Sequence, residues 1–267
     1  MTPLCLTKYH GLGNDFLVAL GPAPSLDSVT ARRLCDRRRG IGADGCILGQ
    51  RADPASGAVL SFRLWNADGG EAEMSGNGVR CLAQAALDAG WVADGERFGV
   101  LSPAGLREVS LRPRDSVTHA EVWSEVEMGV AKVGGEADRC NVGHGQLLVD
   151  MGNPHLVVVG SDPASVDVAA LGALLEATDP EGLNVEFVTL GPGPDEVTMR
   201  VWERGVGETL ACGTGSCAAA VALHHWGRVG PVVTVHQPGG SAVVGLRPDG
   251  TVTLAGPSQR VARCVVD

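Results

Sequence analysis

Slid along itself by 137 residues, this 267-residue chain aligns its two glycine-rich stretches without a gap. EMSGNGVR (Glu73 to Arg80) falls on LACGTGSC (Leu210 to Cys217), so that Ser75 meets Cys212. The flanks follow: Arg63 falls on Arg200, Trp65 on Trp202, Gly70 on Gly207, Glu71 on Glu208, Ala83 on Ala220 and Gly90 on Gly227. Upstream, GNDFLV (13–18) and GNPHLV (152–157) share Gly, Asn, Leu and Val at nearly the same offset. Solenoid repeats run to roughly 20–50 residues, so a period this long does not indicate one. It predicts two related domains of ordinary size with a boundary between 115 and 130. The halves are read as 1–121 and 122–256. The tail, about 257–267, reads as one last strand that can return to the first half.

Within each half, apolar runs such as SFRLW, LLVDM and VTMRVW predict strands. VRCLAQAALDAG and SCAAAVALHHWG are Ala-rich, and each runs into a Gly, which suits a helix and its stop. Both are apolar nearly all round, so each is expected to lie buried within its own domain. Aromatics make up 4% of the chain, which leaves the core to Val, Leu and Ala.

A formal charge of −10 argues against nucleic acid, because phosphate binding needs a basic face. RRLCDRRRG (Arg32 to Gly40) is the one basic run and reads as a solvated helix end. No apolar run approaches the roughly 20 residues of a membrane span, and MTPLCLTKYHG has no signal-peptide pattern. A cytoplasmic location is expected. The eight cysteines are then read as reduced, with most of Cys5, Cys35, Cys46, Cys140 and Cys264 as small core residues. Cys-x-x-Cys and His-x-x-x-His are both missing, so no metal is expected. Lys8 and Lys132 lie in no recognisable pyridoxal-phosphate context.

A helix start carries unpaired N–H groups and partial positive charge, and glycines let an anion approach them closely. Two such starts converging on one carboxylate would stabilise the added charge of an enediolate-like transition state. The same field is expected to lower the pKa of a Cys placed there, favouring thiolate. An acid/base group on each face of a carboxylate-bearing carbon is what stereochemical inversion needs. The plain alternative is two helix-capping loops with core cysteines behind them.

KYHGLGNDF, GIGADG, WNADGGEAEMSGNGVRC, GNPH, NVEFV and ERGVGETLACGTGSCAAAVA together resemble the diaminopimelate epimerase family, in family order from Lys8 to Ala222. The resemblance implies an α+β fold of two pseudo-symmetric domains, each a mixed or antiparallel sheet wrapped around a central helix, with the active site in the interdomain cleft. It implies conversion of LL- to meso-diaminopimelate for lysine and peptidoglycan synthesis, with no cofactor, in a homodimer. Carried over by motif, Cys212 is one acid/base. The backbones of Gly76, Asn77, Gly213 and Thr214 hold the reacting carboxylate, with Asn14 close by. Asn66, Asn153, Asn184, Glu203 and Arg204 hold the distal amino-acid group, whose zwitterion needs a cation, an anion and amides. Glu203 and Arg204 also read as an exposed ion pair, Asn153 and Asn184 as turn residues, and His155 as either a site residue or a core histidine.

Ser75 departs from the family, where a second catalytic cysteine precedes Gly-Asn-Gly. A hydroxyl is a weaker acid than a thiol and needs a base or a stabilising field to take up a proton. Three accounts stay open: Ser75 works as the second acid/base, it was installed to block the cysteine chemistry, or the protein serves another amino acid or a one-sided reaction. Cys81, well inside its helix, is a poor substitute. Rival readings are a racemase for another amino acid, a protein that binds an amino acid without turning it over, and a phenazine-type isomerase. The polar set for the distal head argues against the first, because a simple side chain would leave it unpaired.

Overall fold

Short apolar runs make the strands, and a computed structural model of the chain describes residues 3–23, 25–114, 121–141, 143–160 and 162–266. The chain divides into two compact units, Met1–Val126 with Gly256–Asp267, and Glu127–Ala255. The opening of the expected boundary segment, 115–120, and the tail residue 267 lie outside the described residues.

The first unit runs β1 (Leu4–Gly11), β2 (Asn14–Leu20), α1 (Ser28–Cys35), β3 (Gly45–Arg51), β4 (Leu60–Asn66), β5 (Glu71–Ala72), α2 (Gly76–Asp88), β6 (Arg97–Ser102), β7 (Gly105–Leu111) and β8 (Glu121–Val130). β2 pairs parallel with β3, and β4 with β6. The pairs β1–β2, β3–β4, β4–β5, β6–β7 and β7–β8 are antiparallel. This mixed sheet wraps α2, which packs on β1, β2, β3, β4 and β7. Every residue of α2 from Gly76 to Leu87 is buried. On the outer face α1 covers a second cluster built on Leu17, Leu34, Cys46, Leu48 and Trp65.

The second unit opens with β9 (Lys132–Glu136) and then repeats that order: β10 (Gly145–Asp150), β11 (Pro154–Val159), α3 (Val168–Glu176), β12 (Asn184–Leu190), β13 (Glu196–Glu203), β14 (Gly207–Thr209), α4 (Gly213–His225), β15 (Val232–Gln237) and β16 (Gly240–Leu246). The parallel pairs fall in matching places, β11 with β12 and β13 with β15. α4 is wrapped by β10, β11, β12, β13, β15 and β16, and α3 covers Leu156, Leu183, Val185 and Phe187 outside. The last strand, β17 (Thr251–Val266), pairs with β16 up to Ala255 and then with β1 from Gln259 onward.

The two central helices stop alike. Gly90 (φ 68°) and Gly227 (φ 66°) take the left-handed turn that a side chain resists. Trp91 N–H then donates to the Ala86 carbonyl at 2.8 Å, and Arg228 N–H to that of Leu223 at 2.9 Å. That closes carbonyls a helix end leaves open.

Two expectations need correction. Cys5 is exposed, because β1 alternates and Cys5 sits on its outer face opposite Val265; Cys140 and Cys264 are half-buried. The basic run is solvated at Arg32, Arg33, Arg38 and Arg39, but Arg37 folds back to bond both Asp15 and Asp44 at 2.7 Å. Among the described residues no helix is long and apolar enough to cross a membrane.

Candidate active site

In the first unit, Ser75 caps α2. Its backbone is extended (φ −147°, ψ 116°) and its Oγ accepts the Gly78 N–H at 3.0 Å. Helix geometry leaves the N–H groups of Gly76 and Asn77 without intrahelical acceptors. The Asn77 side chain is buried; it donates to Asn14 Oδ1 at 3.2 Å and accepts from Arg80 Nη2. Arg80, fully buried, donates through Nη1 to the Pro257 carbonyl at 2.6 Å. A Cβ on Gly256 would stand 2.4 Å from that nitrogen, so glycine makes the room. Asn14 in turn donates to Asp44 Oδ2 at 2.8 Å, and Arg37 and Lys8 converge on Asp15 beside it. Burial pushes Asp15 up, but its bonds to Arg37 and Lys8 outweigh that and hold it below the usual carboxylate range. Asn66 lies apart from this chain of bonds, exposed at the end of β4.

In the second unit, Cys212 caps α4 in nearly the same way (φ −121°, ψ 120°), and its Sγ accepts the Gly215 N–H at 3.4 Å. The Thr214 hydroxyl lies 3.5 Å from the sulfur. A small lattice locks the cap: Cys212 N–H donates to Gln237 Oε1 (2.9 Å), Gln237 Nε2 to Ser216 Oγ (2.9 Å), and Ser216 Oγ to the Cys212 carbonyl (2.8 Å). Half-buried Glu203 accepts from Thr209 Oγ1. Behind them Glu186 and His155, both fully buried, meet at 2.6 Å (Oε1 to Nδ1).

These surroundings overturn one expectation. The thiol of Cys212 is raised well above its ordinary value, not lowered. Burial and the negative charges of Glu203 and Glu186 outweigh the favourable bonds from Thr214 and Gly215. The helix start alone would favour thiolate; its setting reverses the sign. Glu203 is also raised, by burial first and by the charge of Glu186, against the bond from Thr209. Cys81, one turn and more inside α2, is pushed up to about 12 by burial.

Of the remaining sequence candidates, Asn153 lies 3.1 Å from His155 Nε2 and 3.5 Å from Thr214 Oγ1. Buried Asn184 uses its amide as a strut, donating to the Pro154 carbonyl and accepting from Arg204 N–H, both at 3.0 Å. Arg204 is exposed and its guanidinium reaches the Glu181 carbonyl at 3.3 Å, so Glu203 and Arg204 hold different partners. Sequence reasoning missed Arg80, Asp44, Glu186, Thr209, Ser216 and Gln237. The quoted motifs contain all but Gln237, and only the fold shows what they touch. Among the described residues no group of three His, Cys, Asp or Glu side chains is placed to hold a metal.

The family model for diaminopimelate epimerase matches residues 6–133 and 147–261. A diaminopimelate epimerase of Desulforudis audaxviator is 41% identical over 96% of this chain and 96% of its own. An O-ureido-serine racemase of Streptomyces lavendulae is 38% identical over 96% of this chain and 92% of its own. The solved structure of a PhzF-family phenazine biosynthesis protein from Bacillus anthracis covers 100% of both chains at a TM-score of 0.76 and 13% identity, a likeness of fold alone.

Proposed function

The chain belongs to the diaminopimelate epimerase family, and from that premise we propose that it converts LL- to meso-diaminopimelate, with Cys212 and Ser75 as its acid/base pair. The observation that carries the reading is the shared cap. In each unit a side chain able to bear a proton stands at a helix start and accepts the N–H three residues on. Epimerisation takes the α-proton from one face and returns one to the other. The N–H groups of Gly76, Asn77, Gly213 and Thr214 would hold the α-carboxylate and the charge it gains in the transition state. No cofactor and no metal enter this scheme.

The two posts start from different states. Cys212 rests as a thiol, ready to donate. For the reverse step it must become thiolate, and a substrate ammonium arriving beside Glu203 would offset the carboxylates that oppose this. Ser75 needs a field that favours negative charge, and the start of α2 with the Arg80 guanidinium behind it supports such a role. Asn66, Asn153, Asn184, Glu203 and Arg204 are proposed to hold the distal amino-acid head, Asn184 through the Arg204 backbone. Cytoplasmic location and homodimer formation belong to the same reading. Val261 (54% exposed) and Val265 (68%) share one outer face of β17 and suit a partner surface.

One relative favours a second reading, racemisation of O-ureido-serine. Incubating the purified protein separately with LL-diaminopimelate and O-ureido-L-serine, and resolving the isomers by chiral chromatography, separates the two. Turnover of the first and not the second is expected; the opposite pattern overturns the proposal.

A further inference from the structure

Four side chains of the first unit form a chain of hydrogen bonds that can run in one direction only. Arg80 Nη2 donates to Asn77 Oδ1, Asn77 Nδ2 to Asn14 Oδ1 at 3.2 Å, and Asn14 Nδ2 to Asp44 Oδ2 at 2.8 Å. The oxygen and NH2 ends of an amide are alike in shape, so partners of fixed polarity decide which way it faces. Here both ends of the chain are fixed, because a guanidinium only donates and a carboxylate only accepts. Asp44 is filled as an acceptor: Oδ2 also takes the Asp15 N–H at 3.0 Å, and Oδ1 takes Arg37 Nη2 at 2.7 Å. Arg37 spans Asp44 and Asp15, whose like charges would otherwise repel. Asn14 is delivered by a turn in which buried Leu12 (φ 56°) and Gly13 (φ 83°) both take the left-handed region. A leucine stays there only where its surroundings hold it.

We propose that Asp44 is a positioning residue for the epimerisation, acting through Asn14 and held in place by Arg37. It keeps the Asn14 carbonyl on Asn77 and the Asn14 NH2 group on its own carboxylate. One Nδ2 hydrogen of Asn14 goes to Asp44; the second has no acceptor among the described residues and is left to donate to the substrate carboxylate beside the start of α2. Turned over, the amide would set oxygen against Asp44 and NH2 against the NH2 of Asn77, like against like. Asp44→Asn undoes the arrangement. It leaves one oxygen for two sides, so either Arg37 or the Asn14 and Asp15 donors must face an NH2 group. The donor to the substrate then loses its fixed place just where charge grows in the transition state, which acts on kcat more than on KM.

The inference rests on the function proposed above, and its test is chosen to fail separately. Asn14→Asp sets two carboxylates against each other, and adding Asp44→Asn restores a donor facing an acceptor. In urea unfolding the double variant is therefore expected to have a higher midpoint than Asn14→Asp alone. A midpoint at or below that of Asn14→Asp overturns the direction of the chain and the proposal with it. With LL-diaminopimelate, Asp44→Asn is expected to lower kcat about tenfold and change KM less than about threefold. Should that variant not fold, Arg37→Met is expected to give the same split with a smaller fall in kcat. Wild-type kcat in Asp44→Asn, or in Arg37→Met where the first does not fold, overturns the proposal, as does a change in KM as large as that in kcat. If the wild type ignores diaminopimelate, the function reading falls while the unfolding cycle still decides whether Asp44 sets the amides.

Discussion

The start of α2 and the start of α4 share a backbone and differ in charge. Ser75 and Cys212 cap their helices with closely similar angles and the same bond three residues on. A buried cation, Arg80, lies in α2 on the Asn77 side chain; around Cys212 stand two carboxylates, Glu186 and Glu203. The sequence shift places Arg80 on Cys217, and Glu203 on Asn66, so the asymmetry was written into a duplicated frame. The pairing is complementary. The weaker acid, a hydroxyl, sits where negative charge is favoured, and the stronger acid, a thiol, sits where it is opposed. The surroundings of Cys212 raise its thiol, and the two-sided transfer proposed for this pair needs posts of comparable proton affinity.

Removing a post should break the comparison most severely. Cys212→Ala is expected to lower epimerisation by at least about a thousandfold in a coupled assay, and an active variant would remove α4 from the chemistry. Next comes the buried charge of α2. Arg80→Met should cost about 2–3 kcal/mol in urea unfolding, since it strips partners from Asn77 and the Pro257 carbonyl. Cys217→Ala at the matching place should cost about 1 kcal/mol; equal costs would deny that the two helices are held differently. Ser75→Cys is expected to leave turnover similar or raise it by up to about tenfold. A clear fall would mean that the Arg80 side has been tuned to oxygen and tolerates no sulfur.

The smallest effect is a pH signature. The carboxyl of Glu203 is raised above its ordinary value of about 4.5. Below that pH both folded and unfolded chains hold the proton. Above it the unfolded chain releases the proton first, so stability is lost as pH rises toward the folded value. Glu203→Gln should therefore melt with the wild type at pH 4 and a few degrees above it at pH 8. The raised Cys212 thiol acts in the same direction above pH 9. A variant less stable than wild type at pH 8 would show that Glu203 is held there by a favourable bond instead.

The frame was legible because its signals are local. SFRLW and VTMRVW lie within β4 and β13, and the Ala-rich runs became α2 and α4 with Gly90 and Gly227 as their stops. Buried charge was not legible, because it depends on register between distant strands. Parallel pairing of β11 with β12 sets Val157 opposite Glu186 and brings that side chain to His155. In the sequence, Glu186 is one polar residue inside an apolar run. Arg80 is one charge inside an Ala-rich run, and its partner is visible only once β17 closes over it at Pro257. The raised thiol of Cys212 follows from the same cause: the helix start can be seen in the sequence, the carboxylates facing it cannot. Asn184 reads as a ligand or a turn, and both ends of its amide hold the fold, to Pro154 and Arg204.

The central claim is that two posts of different element serve opposite faces of one α-carbon. Proton NMR of the protein with LL-diaminopimelate in D2O, following the α-proton signal and the meso isomer together, tests it most directly. Loss of the α-proton in step with growth of the meso isomer is predicted. Exchange with the LL configuration retained would contradict it, leaving a single working base and a silent serine.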